Sequence, residues 1–188
     1  MANICVFCAS SNSVNGEYAL AARETGALIG RRNHTLIYGG SNLGLMGLVA
    51  RSVQDNGGKV VGILPEIFKH LAYREDELVI VEDLRKRKKV MESRSDAFLV
   101  LPGGFGTLDE LADLFVERQL KLHQKPVAII NTNKFYSNLM AHFEKMYTEG
   151  FAPLDNRNIY SMVNTPLDAL EFIENYSPQH IGEKLPNN

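Results

Sequence analysis

Ala97-Phe98-Leu99-Val100-Leu101-Pro102-Gly103-Gly104-Phe105-Gly106-Thr107-Leu108-Asp109-Glu110 passes from an unbroken apolar run, through a proline and three glycines, into residues with helical spacing. A strand that is apolar at every position is buried on both faces, the condition of a parallel sheet covered by helices. The same pattern recurs outward along the chain. Ile4 to Phe7, Thr35 to Tyr38, Val60 to Leu64, Leu78 to Val81 and Val127 to Ile130 read as further strands beside Ala97 to Leu101. Glu17 to Arg31, Leu45 to Asn56, Asp83 to Arg94, Leu108 to Leu122 and Tyr136 to Glu149 carry helical periodicity. This alternation predicts a three-layer α/β fold, a mainly parallel sheet flanked by helices on both faces and joined by right-handed crossovers.

The 188 residues, 45% hydrophobic and 22% charged, suit one globular domain spanning 1–188, with a frayed tail from about 177 that carries Pro178, Pro186, Asn187 and Asn188. Twenty basic and 22 acidic side chains leave a net charge of −2, so no overall field attracts nucleic acid or an anionic membrane. Met1-Ala2-Asn3-Ile4-Cys5-Val6-Phe7-Cys8 lacks the basic and long apolar segments of a secretory signal, and no later run approaches membrane-spanning length. The expectation is a cytoplasmic protein with neither nucleic acid nor membrane as partner. Cys5 and Cys8 have CxxC spacing but sit in the first apolar run with no second Cys/His pair, so they read as buried structural thiols.

In parallel sheets ligands collect where strands end and the chain turns toward the next helix. Three such turns are unusual: Cys8-Ala9-Ser10-Ser11-Asn12, Gly39-Gly40-Ser41-Asn42-Leu43-Gly44 and Pro102 to Thr107. In the last, Gly103, Gly104 and Gly106 let the backbone approach an anion, Phe105 stands among them, and the following helix aims unpaired N–H groups at the same point. Thr107 adds a hydroxyl and is placed to cap the helix with Glu110 three residues on. The loop lacks GxxxxGK[ST], and Asp109 stands where a dinucleotide fingerprint needs its third glycine, so one phosphate of a mononucleotide fits better than ATP or NAD. The bland alternative is a tight turn with a helix cap. Ser10, Gly39 and Gly40 belong to the other two turns and are candidate substrate contacts, while Gly44 and Gly47 read as packing positions for the next helix.

Glu110 lies one turn into the expected helix, where its carboxylate faces the sugar of a nucleotide held by its phosphate. The competing reading is a capping carboxylate without chemistry. Five consecutive cations, Arg85-Lys86-Arg87-Lys88-Lys89, fan around a whole helix, so at most two enter a site and the rest are solvated. His34, His70, His123, His142 and His180 form no HxxH or HExxH pair, and no GxSxG occurs. Neither a metal site nor a cofactor is implied.

The combination Arg87-Lys88-x-x-Met91, Ser95-Asp96-Ala97-Phe98 and Pro102 to Glu110 resembles the Lonely Guy (LOG) family, the cytokinin riboside 5′-monophosphate phosphoribohydrolases, long labelled possible lysine decarboxylases. The resemblance runs from Phe7-Cys8-Ala9-Ser10-Ser11 through Tyr38-Gly39-Gly40 to Lys125-Pro126-Val127 and Glu149-Gly150-Phe151. It implies a Rossmann-like fold, cleavage by Arg87 and Glu110, phosphate binding by the PGGxGT loop, and Lys88 and Glu66 beside the substrate. It also implies hydrolysis of a nucleoside 5′-monophosphate to free base and ribose 5-phosphate, in a homodimer or higher homo-oligomer. A nucleotide-binding or sensing module without turnover is the alternative. Leu84 and Asp109 depart mildly from the family's pattern. Val116-Glu117-Arg118-Gln119 replaces the Thr-Trp-Ala-Gln of plant members, which leaves a cytokinin base and a plain adenine both open.

Overall fold

The computed structural model describes residues 1–14 and 16–182. Its strands are β1 (Asn3–Phe7), β2 (Thr35–Tyr38), β3 (Lys59–Pro65), β4 (Glu77–Val81), β5 (Ala97–Val100), β6 (Val127–Ile130) and β7 (Ser161–Val163). Its helices are α1 (Gly16–Arg31), α2 (Gly44–Asp55), α3 (Leu84–Ser93), α4 (Phe105–Gln119), α5 (Ser137–Thr148) and α6 (Pro166–Glu174). The strands form one parallel sheet in the order β4-β3-β2-β1-β5-β6-β7.

Because side chains alternate along a strand, each central strand feeds both faces. Ile4 and Val6 point toward α1, α2 and α6, while Cys5 and Phe7 point toward α3, α4 and α5. This is the three-layer Rossmann-like arrangement expected from the apolar runs. Both cysteines are free and buried, and burial holds their thiols above the ordinary range.

The chain runs outward from β1 to β4, then returns to lay β5 on the other side of β1. Phe7 is opposite Val100, and beyond them the two strands leave in opposite directions. A crevice opens there for geometric reasons alone.

Three features differ from the sequence expectation. First, α4 begins at Phe105 rather than Leu108, with Gly104 as its N-cap and no side-chain capping bond. Thr107 therefore lies inside the first turn, and the proposed Thr107–Glu110 capping box does not form. Its side chain lies over Gly103, where a methyl group would fall 2.1 Å from Thr107 Oγ1. Second, β7 and α6 were not anticipated, although Thr165 caps α6 by accepting the Asp168 N–H at 3.2 Å and Pro166 opens its first turn. Third, residues 177–182 of the stretch expected to fray are held in part, with Ile181 buried and His180 O accepting from Asn158 Nδ2 at 3.0 Å. Residues 183–188 lie outside the described residues.

α1 and α2 approach closely through glycines on α1. A methyl group at Gly26 would lie 2.5 Å from Val49 O and 2.7 Å from Ser52 Cβ. Gly→Ala inside a helix ordinarily stabilises by roughly 0.5–1 kcal/mol. Here overpacking outweighs propensity, so Gly26→Ala is expected to destabilise by roughly 1–3 kcal/mol. Urea unfolding with an unchanged or raised midpoint would refute this close approach.

Candidate active site

A cleft of about 390 Å³ opens at the carboxyl ends of β1 and β5. Its wall is built by Ser10 from the first turn, Gly39 from the second, Gly104, Phe105, Gly106 and Thr107 from the third, and by Arg87 and Glu110. Gly40, Gly103, Lys88 and Glu66 lie outside that wall. Gly40 adopts φ 71° beneath Leu64, and Gly103 receives Thr107. Glu66 is exposed on the 3₁₀ turn Glu66–Leu71 and pairs with Lys69 at 3.4 Å.

The end of α4 in the cleft is open. Among the described residues the amides of Phe105, Gly106 and Thr107 meet no protein acceptor, and Leu108 is the first to donate, to Gly104 O at 3.1 Å. A methyl group at Gly104 or Gly106 would meet no atom within 4 Å. Three converging donors at the positive end of a helix, with room in front, accept an anion. The tip of α2 differs. Gly44 N–H donates to Asn12 Oδ1 at 2.8 Å and Leu45 N–H to Ala9 O at 2.9 Å, so protein acceptors already occupy it. Gly44 and Gly47 press on backbone, with methyl groups placed 2.6 Å from Ser10 C and 2.2 Å from Asn42 O.

Arg87 reaches the cleft because of how α3 is anchored. Asp83 caps the helix by accepting Lys86 N–H at 2.7 Å, and Arg94 pairs with Glu77 at 2.6 Å near the other end. The one fully buried side chain of α3 is Met91, worth roughly 1.5–3 kcal/mol. Arg87 lies one turn before Met91 on the same face, which turns it inward. Its guanidinium rests against Gly39, where a methyl group would be 1.6 Å from Nη2. Arg87 Nε is buried without an acceptor among the described residues. Of the other cations, Lys88 binds Asp109 at 2.8 Å and Asp113 at 2.5 Å, while Lys86 is exposed.

Glu110 Oε1 stands 3.7 Å from Arg87 Nη2, with side chains 11% and 16% exposed. That separation is too long for a hydrogen bond, so the attraction is purely coulombic. Burial therefore prevails and pushes the Glu110 carboxyl up to about 7, against the pull of Arg87 and with help from Asp109. Five further residues of the lining are apolar, Leu43, Met46, Leu64, Phe68 and Leu71. These five come from three separate segments and carry no shared motif, so sequence inspection missed them.

An open helix tip at the reversal point of a doubly wound sheet marks an α/β protein of the class that holds anionic ligands there. Comparison with known proteins narrows this. Residues 46–173 match the family model described as "Possible lysine decarboxylase". The chain is 41% identical over 183 residues to the probable cytokinin riboside 5′-monophosphate phosphoribohydrolase LOGL2 of Oryza sativa subsp. japonica, covering 94% of this chain and 74% of that protein. It is 40% identical over 183 residues to LOG4 of Arabidopsis thaliana, named for the same activity, covering 94% and 84%. The chain belongs to the LOG family. Among solved structures, the molybdenum cofactor binding protein of Rippkaea orientalis superimposes with a TM-score of 0.72 at 22% identity, covering 92% of this chain and 94% of that one. That likeness concerns the fold.

The position of Glu110 predicts a pH-dependent stability. Its carboxyl ionises near 4.5 when free and near 7 in the fold, so between these values the folded protein keeps a proton that the unfolded chain releases. Stability attributable to Glu110 is therefore lost as pH rises across that window, by up to ~1.4 kcal/mol per unit. Urea unfolding at pH 5 and pH 8 should show Glu110→Gln gaining on the wild type by an amount on the order of 2 kcal/mol. A constant difference at the two pH values would mean that Glu110 is not held as described.

Proposed function

We propose that the protein hydrolyses the N-glycosidic bond of a purine nucleoside 5′-monophosphate, giving free base and ribose 5-phosphate. The observation that carries this reading is the placement of three amides, unpartnered among the described residues, at the tip of α4 and of Glu110 in the same cleft, three to five residues further along the helix. At ~1.5 Å of rise per residue this offset is roughly 4–8 Å, a span that includes the reach from a 5′-phosphate to the anomeric carbon. The amides of Phe105, Gly106 and Thr107 hold the phosphate, and the wall of Leu43, Met46, Leu64, Phe68 and Leu71 receives the base.

As the base departs, the anomeric carbon gains positive charge. Ionised Glu110 stabilises that charge and orients the attacking water, while Arg87 binds phosphate or ribose oxygens and favours the ionised form of Glu110. Ser10 and Gly39 border the sugar. The curated relatives are named for this reaction on cytokinin riboside monophosphates, and this supports the same substrate class, with AMP as the simplest member.

The described chain acts as one domain in this reading. The exposed face of α4, with Phe105, Val116 and Leu120, supports self-association into a homo-oligomer. Two free thiols fit a reducing compartment, from which we infer residence in the cytoplasm.

The test is release of free base from AMP and from isopentenyladenine riboside monophosphate. Glu110→Gln and Arg87→Ala should each lower kcat by roughly a hundredfold or more. Tight binding without product would support a sensing module instead. The wild-type rate should rise with pH through about 7, as Glu110 loses its proton. A flat profile from pH 5.5 to 8 would exclude Glu110 as the group that must be charged.

A further inference from the structure

A second cleft, of about 320 Å³, lies between α3 and α4 on the far side of Glu110. Its lining is strongly charged: Arg85, Lys88, Lys89 and Glu92 from α3, with Asp113 and Glu117 from α4. Phe7 and Glu110 are the two residues that line both clefts. Glu110 is thus a partition, with the nucleotide side on one face and a polar cavity on the other.

This arrangement matters once the first cleft is filled. A nucleotide seated there covers Glu110 from that side. Hydrolysis nevertheless consumes a water in every turnover and leaves one of its protons on Glu110 in transit. The C1′–N bond breaks with its electron pair going to the base, water oxygen bonds to C1′, and one water proton passes to the Glu110 carboxylate. The base takes a proton from solvent, so nucleotide plus water balances base plus ribose 5-phosphate. Glu110 must then shed its proton toward a polar region before the next cycle.

We propose that the second cleft is the water and proton side of Glu110, and that Lys88, clamped by Asp109 and Asp113, is the positioning residue that sets the carboxyl's charge from there. The inference rests on the hydrolase reading above. Lys88 Nζ lies 2.8 Å from Asp109 Oδ2 and 2.5 Å from Asp113 Oδ2. Both acids are more than half exposed, so these bonds contribute little to stability and serve chiefly to fix one cation beside Glu110. Elsewhere in the lining, burial and the neighbouring Glu92 carboxyl hold Glu117 up at about 7, and Glu117 Oε2 is buried without a partner among the described residues.

Glu110 is faced by Arg87 and Lys88 from α3 and by Asp109 and Asp113 from its own helix. Cys5 and Cys8, on β1 and the turn after it, and Tyr136, before α5, are buried and neutral. Lys88 favours the ionised carboxyl, whereas Asp113 disfavours it.

The experiment is the pH profile of kcat, with KM, for base release by wild type, Lys88→Met and Asp113→Asn. Lys88→Met should move the acid limb to higher pH and Asp113→Asn to lower pH, each by about half a unit or more. KM should stay within about twofold of wild type, as expected when uniform substrate binding is untouched. Limbs that stay in place, or move the same way, would overturn the proposal, as would a large rise in KM for Lys88→Met, which would make Lys88 a substrate contact. Glu117→Phe, checked for wild-type thermal unfolding, fills the cavity without touching the first cleft. It should lower kcat at least tenfold at constant KM, and unchanged kcat would sink the idea of a water route. Wild-type protein that releases no base from any nucleotide would remove the hydrolase reading and this inference together, a result distinct from all of these.

Discussion

Parallel pairing of β1 with β5, with Phe7 opposite Val100, is the constraint from which the rest of the molecule follows. Leu101 N–H donates to Phe7 O at 2.9 Å and Ala9 N–H to Pro102 O at 3.2 Å, so the two strands are stitched together up to the point where they part. Beyond that point the chain after β1 runs to one flank of the sheet and the chain after β5 to the other. Every group in the cleft is placed by this separation. The tip of α4 stands at its mouth because the turn after β5 is only a few residues long, and the turn after β1 fills the tip of α2 because it is longer and rich in side-chain acceptors.

Within this frame the electrostatics of Glu110 are a compromise between burial and charge. A carboxylate so nearly enclosed ordinarily neutralises itself, and a cation in direct contact ordinarily prevents that. Arg87 at 3.7 Å does neither completely. The carboxyl is left able to change charge near neutral pH, which is where a group that alternates between stabilising a cation and carrying a proton has to sit. The looseness has a structural origin. α3 is fastened by one buried side chain, Met91, and by polar ties at its ends, and its guanidinium is detained by the backbone of Gly39 more than by its acidic partner.

Much of this was legible in the sequence, for identifiable reasons. Central strands buried on both faces have no polar positions, so β1, β2, β5 and β6 stood out, and glycines between strand and helix marked the right turn. The start of α4 was misjudged because Phe105, 91% exposed, and Gly106 look like loop residues, although both lie inside the first turn. β7 was invisible because three half-buried residues give no pattern. The run of five cations is the instructive case. Sequence limited the number that can face inward, but only the anchoring by Met91 and the acids on α4 decide that Arg87 faces one cavity and Lys88 another. Glu66, whose place came from resemblance alone, lies at the rim and outside the wall.

The contact between Arg87 and Gly39 joins the turn after β2 to the helix that carries the chain back toward β5, in a way that neither segment reveals alone. Gly39 follows β2, on the outward journey of the chain, and Arg87 arrives after α2, β3 and β4, on α3. A bare backbone position in one segment is thus the seat for a cation from another. In a chimera that takes its first forty residues from one family member and the remainder from another, the seat and its occupant travel separately, so such a hybrid can fold faultlessly while its guanidinium has nowhere to rest.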